Sequence, residues 1–271
     1  MAKINQPNAP IGIFDSGFGG LTVMKAIRKL LPMEKLIYLG DAARLPYGNK
    51  SRETIIRYTL ESAQFLSEQQ VKLIIIACHT ASSVALSALS KELSIPVIGM
   101  IDPCLPSLIH SAHRGAIGIL ATQATVASGV YQTALQEQIP KAEIIGISCP
   151  LFVPLVEEGL LTGPIISEIV KHYLAPLKAK QIQTLLLACT HYPLLKGVIQ
   201  EFMGPVCRLI DPSVSCASFI KQVLSENGCL NLSGDMGSSL FFTTDDPDKF
   251  KALGPRFLET GIDAVSKALL S

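Results

Sequence analysis

The feature that most constrains this chain is a series of short apolar runs, continuous rather than alternating, each followed by an amphipathic stretch. The runs fall at residues 11–14, 35–40, 73–77, 97–101, 116–121, 143–147, 184–188 and 206–210. Runs without polar alternation suit strands covered on both faces by helices, the signature of a parallel sheet. The stretches between them, at 21–31, 51–69, 81–93, 125–138, 162–178 and 194–202, carry helical patterning. Alternation of this kind gives an α/β, doubly wound architecture. With 271 residues there is ample chain for a buried core.

Two echoes divide the chain. "VIGMIDP" (97–103) is answered by "CRLIDPS" (207–213), each a strand leaving through Ile-Asp-Pro. "LIIIACHTAS" (73–82) is answered by "TLLLACTHYP" (184–193), each an apolar run ending in Ala-Cys. The offset between Cys78 and Cys189 is 189 − 78 = 111 residues, and between Asp102 and Asp211 it is 211 − 102 = 109. Near-equal offsets favour an internal duplication. The expected organisation is a first α/β domain of 1–99 plus 209–271 and a second of 100–208. The two would be pseudo-symmetric, with the active site in the cleft between them, where ligands often sit.

Net charge is +1 and no run of like charges occurs, so neither nucleic acid nor an anionic membrane is an expected partner. The apolar runs, about five to eight residues each, fall far short of the roughly 20 that span a bilayer. Residues 1–10 are polar and lack the apolar core of a signal peptide, so a cytoplasmic location is expected. The seven cysteines are odd in number and contain no Cys-x-x-Cys pair, against both a disulfide framework and a zinc ribbon. Cys149, Cys207, Cys216 and Cys229 read as small buried hydrophobes.

Binding residues in open α/β sheets collect at the carboxyl ends of strands. "IGIFDSGFGG" (11–20) is a strand, a Gly-rich turn and a helix start, suited to an anion such as a carboxylate. "GDAARLPYG" (40–48) is a polar loop after the second strand, and the two Ala-Cys segments complete the set. A cysteine at a strand-to-helix turn is expected to have a lowered pKa, since a helix N-terminus favours thiolate. Cys78 precedes one such helix, and Cys189 precedes one expected to start at Pro193. One thiol would suggest a nucleophile. Two, one from each half, suggest an acid and a base on opposite faces of a bound carbon centre, the arrangement for stereochemical inversion. Asp15 and His191 would orient and tune them. Blander and rival readings stand beside this one. Asp15 alone fits a helix cap. Cys78, His79, Cys189 and His191 are also zinc-ligand types, although the adjacent side chains at 78 and 79 point apart. A Cys-His hydrolase would need only one of the two cysteines.

At "IFDSGFGGLTV" (13–23), "ARLPYG" (43–48), "ACHTAS" (77–82), "CPLFVPLVEEG" (149–159) and "ACTHYPLL" (188–195), the chain resembles the glutamate racemases of the cofactor-independent aspartate/glutamate racemase superfamily. Five motifs in register make the resemblance specific. It implies an amino-acid racemase, an isomerase that interconverts L- and D-glutamate and supplies the D-enantiomer for peptidoglycan, cell-wall biogenesis and cell shape. It implies Cys78 and Cys189 as the catalytic acid and base. Asp15, Ser16, Tyr47, Gly48, Thr80, Thr122, Thr190 and His191 would contact the substrate, and Glu157 would pair with His191 and help set the protonation of the Cys189 side. It implies no cofactor, pyridoxal phosphate included, no metal, and a homodimer as the expected assembly. Three positions depart from the family pattern. His79 stands in a substrate-contacting slot where Asn is usual, Ala42 where Thr is usual, and Cys104 where Gly is usual. They open two alternatives: a racemase of aspartate or another amino acid, or a weakly active or non-catalytic amino-acid-binding homologue if His79 blocks the substrate ammonium.

Overall fold

Each expected apolar run enters one of two parallel sheets. The computed structural model describes residues 6–270; residues 1–5 of the polar N-terminal stretch and residue 271 lie outside it. The strands are β1 (Ile11–Asp15), β2 (Leu36–Gly40), β3 (Leu73–Ile76), β4 (Val97–Ile98), β5 (Ile117–Ala121), β6 (Ile144–Ser148), β7 (Thr184–Ala188), β8 (Arg208–Ile210), β9 (Ser239–Thr243) and β10 (Ser266–Lys267). The first sheet has the order β10-β9-β2-β1-β3-β4 and the second β6-β5-β7-β8. Every pairing is parallel. The inner order of the first sheet, β2-β1-β3-β4, is repeated in the second with each number raised by four. The echo of Ala-Cys motifs is therefore matched by an echo of wiring: Cys78 follows the third strand of one unit and Cys189 the third strand of the other.

The unbroken apolar runs have a direct physical outcome. β1, β2, β3, β5 and β7 are buried along their whole length, because helices cover both faces of each sheet. Helix starts are capped where the sequence offers an acceptor. Ser51 Oγ accepts from the Thr54 amide at the head of the helix Arg52–Glu68. Asp211 Oδ1 accepts from the Ser213 amide at 2.9 Å, with Pro212 in the first turn of the helix Pro212–Glu226. That helix packs on Leu21–Leu30 and so carries the chain back from the second sheet to the first.

Several expected elements are modified. The helix expected over 125–138 is two, Gln123–Ser128 and Val130–Gln138, parted at Gly129, whose φ of +64° is left-handed. The run 97–101 pairs only over Val97–Ile98, and Ile101 already has helical backbone ahead of the 3-10 turn Asp102–Cys104. The run 206–210 pairs only over Arg208–Ile210, after a turn at Pro205-Val206. β9 and β10 were not anticipated; β9 pairs with the outer edge of β2. Among the described residues no helix is long and apolar enough to cross a membrane.

Candidate active site

A cavity of about 30 Å³ gathers residues from the carboxyl ends of five strands. Ser16 comes from the turn after β1, Leu45 to Gly48 from the loop after β2, Cys78, His79 and Thr80 from the end of β3, Thr122 from β5, and Cys189, Thr190 and His191 from β7. Both thiols thus line one space, each delivered by a different sheet. Asp15 lies behind it, fully buried: Oδ2 accepts from the Gly17 amide at 3.0 Å and Oδ1 from Thr190 Oγ1 at 3.3 Å. The glycines of the first turn permit this approach. A Cβ at Gly19 would stand 2.3 Å from Thr190 Oγ1 and 2.5 Å from His191 Nδ1.

Further hydrogen bonds cross between the two halves. Thr80 Oγ1 and Thr122 Oγ1 are 2.8 Å apart, and Thr122 continues to Thr125 Oγ1 at 3.0 Å. The Ala124 amide donates to Gly48 O at 3.1 Å, and Thr22 Oγ1 donates to Thr190 O at 3.1 Å. On the first side, Asp41 holds the β2 loop: its Oδ2 accepts from Tyr47 OH at 2.5 Å and from Arg44 Nε at 2.6 Å. Burial and the Asp41 charge push the Tyr47 phenol far above its ordinary range, so it is a donor.

The two thiols have unlike surroundings. Cys78 caps the helix His79–Glu92. Burial, then the Asp15 charge, push its pKa up to about 11, while the Ser16 hydroxyl and the amides of Ala81 and Thr80 oppose the rise. Cys189 leads into a 3-10 turn, Tyr192–Leu195, rather than the helix expected at Pro193; the α-helix begins only at Lys196. Burial drives its pKa above the ordinary thiol range more strongly still, with the His191 amide as the main opposing donor. The expected lowering of the thiol pKa values is therefore corrected: desolvation outweighs the helix N-terminus in this enclosed cavity. Asp15 is likewise raised by burial, against the His191 charge and the amides of Gly20 and Gly17.

His191 Nε2 meets Glu157 Oε1 at 3.0 Å, and its Nδ1 is buried with no hydrogen-bond partner among the described residues. The Phe257 ring stands edge-on to it, centroids 5.3 Å apart. His79 is 2% exposed, and neither ring nitrogen has a partner among the described residues. It stacks on Tyr131 at 6.4 Å, and burial pulls its pKa down to about 3, so the ring is neutral at neutral pH.

Among the predicted site residues, Asp15 and Glu157 stand just outside the cavity and the other ten line it. Its apolar wall of Leu45, Pro46 and Val153 was not singled out from sequence, although all three fall within quoted motifs read for their polar members. The same wall opens onto an outer cavity of about 450 Å³, which Cys149, Pro150, Pro154 and Glu157 also line. Among the described residues no three His, Cys, Asp or Glu side chains are grouped to hold a metal ion.

The sequence profile described as Asp/Glu/Hydantoin racemase matches residues 11–218. The chain is 43% identical over 252 residues to the glutamate racemase of Geobacter metallireducens, covering 93% of each. It is 47% identical over 238 residues to that of Aquifex pyrophilus, covering 88% of this chain and 90% of the relative. The crystal structure of the Francisella tularensis glutamate racemase in complex with D-glutamate superposes with a TM-score of 0.90 at 39% identity, over 97% of this chain and 98% of that one.

Proposed function

The chain belongs to the Asp/Glu/Hydantoin racemase family, and on that premise we propose that it interconverts L- and D-glutamate by a two-thiol mechanism. The observation that carries this reading is the placement of Cys78 and Cys189 on one cavity from equivalent strand ends of two like-wired sheets. One thiolate takes the α-proton, which moves to sulfur. The electron pair left on carbon is delocalised into the adjacent carboxylate, and the opposite thiol returns a proton to the other face. After one turnover the two cysteines have exchanged protonation states. No cofactor enters this sequence of steps.

Asp15 and the Glu157–His191 pair act on the thiols; Ser16, Tyr47, Gly48, His79, Thr80, Thr122, Thr190 and His191 hold the amino acid. A cavity of about 30 Å³ has room for about one or two waters and is too small for glutamate. Glutamate enters only when the two halves part, which breaks the cross-cleft bonds of Thr80 and Gly48. The raised thiol pKa values fit this cycle, since a substrate ammonium brought beside them supplies the positive charge that favours thiolate. The D-glutamate would feed peptidoglycan assembly in the cytoplasm, and the assembly we propose is a homodimer.

Incubation of the purified protein with L- and D-glutamate, followed by circular dichroism, tests the activity; both enantiomers are expected to converge on one mixture. Full racemisation by Cys78→Ala or Cys189→Ala would refute the two-thiol step. The unpartnered His79 in the cavity supports a second reading, turnover of aspartate or another amino acid. A panel of L-amino acids decides between the two: robust aspartate turnover beside inert glutamate would reverse the choice.

A further inference from the structure

The Glu157–His191 pair is held from outside the second half of the molecule. Glu157 is the last residue of the short helix Phe152–Glu157. Arg256, on the C-terminal helix Pro255–Leu258, donates through Nη1 to Val156 O at 3.1 Å and to Glu157 O. A guanidinium on the last carbonyls of a helix satisfies acceptors that the helix leaves open and complements its dipole. Gly159 makes room for it: its φ is +81°, and a Cβ there would meet Arg256 Nη2 at 3.2 Å. The next residue, Phe257, is 1% exposed and sets its ring against His191 on one side and Phe18 of the first turn on the other. Two consecutive side chains therefore touch both members of the pair. The segment carrying them is tied to the first half, where Lys25 of the helix Leu21–Leu30 meets Glu259 at 2.8 Å.

We propose that Arg256 is a positioning residue: it fixes the carboxyl end of the helix Phe152–Glu157 so that the Glu157 carboxylate meets His191, and it does so only when the two halves are closed. The inference rests on the reading that this pair tunes the Cys189 side. Arg256 touches neither thiol nor the inner cavity, and it is exposed, so its loss leaves the core intact.

The test is a double-mutant cycle on the full-length protein, with kcat and KM measured on L- and D-glutamate. Arg256→Ala is expected to lower kcat roughly 5- to 10-fold, a change of about 1 to 1.4 kcal/mol in the barrier, with KM within about two-fold. Arg256→Lys, which still offers a donor to the carbonyls, recovers part of the loss. In a Glu157→Gln background, Arg256→Ala adds nothing further, because the group it positions is gone. An equal kcat loss in both backgrounds overturns the proposal, as does a loss confined to KM. If Glu157→Gln itself leaves kcat unchanged, the reading of the pair fails first and the proposal with it. Thermal unfolding of each variant accompanies the kinetics, and a kcat loss in Arg256→Ala without recovery in an equally stable Arg256→Lys also counts against positioning.

Discussion

At the end of β3, Cys78 heads a helix of 14 residues and receives two helix amides and the Ser16 hydroxyl. At the end of β7, Cys189 heads a 3-10 turn of four residues and has the His191 amide as its main donor. The same strand position in the same wiring thus yields two thiols with unlike support. The first half opposes the burial of its thiol with two helix amides and one hydroxyl. The second offers mainly the His191 amide, and the His191 side chain beside it is paired with Glu157, which Arg256 and Phe257 flank. The first is fixed by the fold itself, whereas the second depends on three separate segments meeting. The cleft therefore has one side set by a single helix start and one assembled from three segments.

The most severe way to break the comparison is to remove each thiol. Cys78→Ala and Cys189→Ala are each expected to lower racemisation by about 10²- to 10⁴-fold, the range for loss of a general acid–base group. The remaining thiol can still take and return a proton on its own face. In D₂O each variant should exchange the α-proton of one enantiomer without inverting it, and the two variants should choose opposite enantiomers by proton NMR. Exchange of the same enantiomer by both would place the thiols on one face.

Next in size, Glu157→Gln is expected to slow turnover about ten-fold, equivalent to about 1.4 kcal/mol. Steady-state rates measured in both directions check this, and the loss should appear in each, since Cys189 changes its protonation state in both.

A third contrast lies in stability. His79 sits in the fold with a pKa of about 3 against an ordinary 6.5. A base so depressed stabilises the fold fully above pH 6.5 and loses that contribution as pH falls toward 3. Cys78, raised to about 11 from 9.0, does the reverse: its contribution is complete below pH 9 and is lost as pH rises through 11. Melting temperatures of the wild type should therefore fall between pH 6 and pH 4, and His79→Asn should flatten that acid limb. An unchanged acid limb would mean that the ring already has a partner.

The smallest effect is expected from Thr122→Val, which removes the hydroxyl shared by Thr80 and Thr125. The cost should be about 1 kcal/mol in chemical denaturation, the usual net worth of one hydrogen bond. KM should rise, because the closed state loses a cross-cleft contact.

Much of this was legible in the sequence because it depends on local pattern. Continuous apolar runs predict buried parallel strands, and the 111-residue spacing of Cys78 and Cys189 predicts their equivalent strand ends. The resemblance supplied His191 and Glu157 as partners, and they meet at 3.0 Å. What escaped depends on contacts distant along the chain. β9 is a short run whose role comes only from an edge of β2, about 200 positions earlier, which no periodicity reveals. The break at Gly129 is a single left-handed residue inside a pattern that still reads as helix. Nor could spacing weigh burial against helix amides at the thiols, since that balance depends on how tightly the two halves shut. Arg256 lies outside all five motifs, and its importance lies in two backbone carbonyls, which carry no sequence signal.

The pairing of β2 with β9 has a consequence for how the chain is made. The second sheet has all its strands once residue 210 has emerged from the ribosome, whereas the first must wait for residues 239 to 243 to cover β2 and for residues 266 to 267 to be complete. Until then the outer edge of β2 offers unpaired amides and carbonyls, the surface on which strands of other molecules add. The second sheet, whose strands lie between β4 and β9 in the chain, can therefore mature early, while the first spends most of synthesis with an open seam. Mutations near β9 should accordingly show in the yield of properly folded molecules before they show in the catalytic cleft.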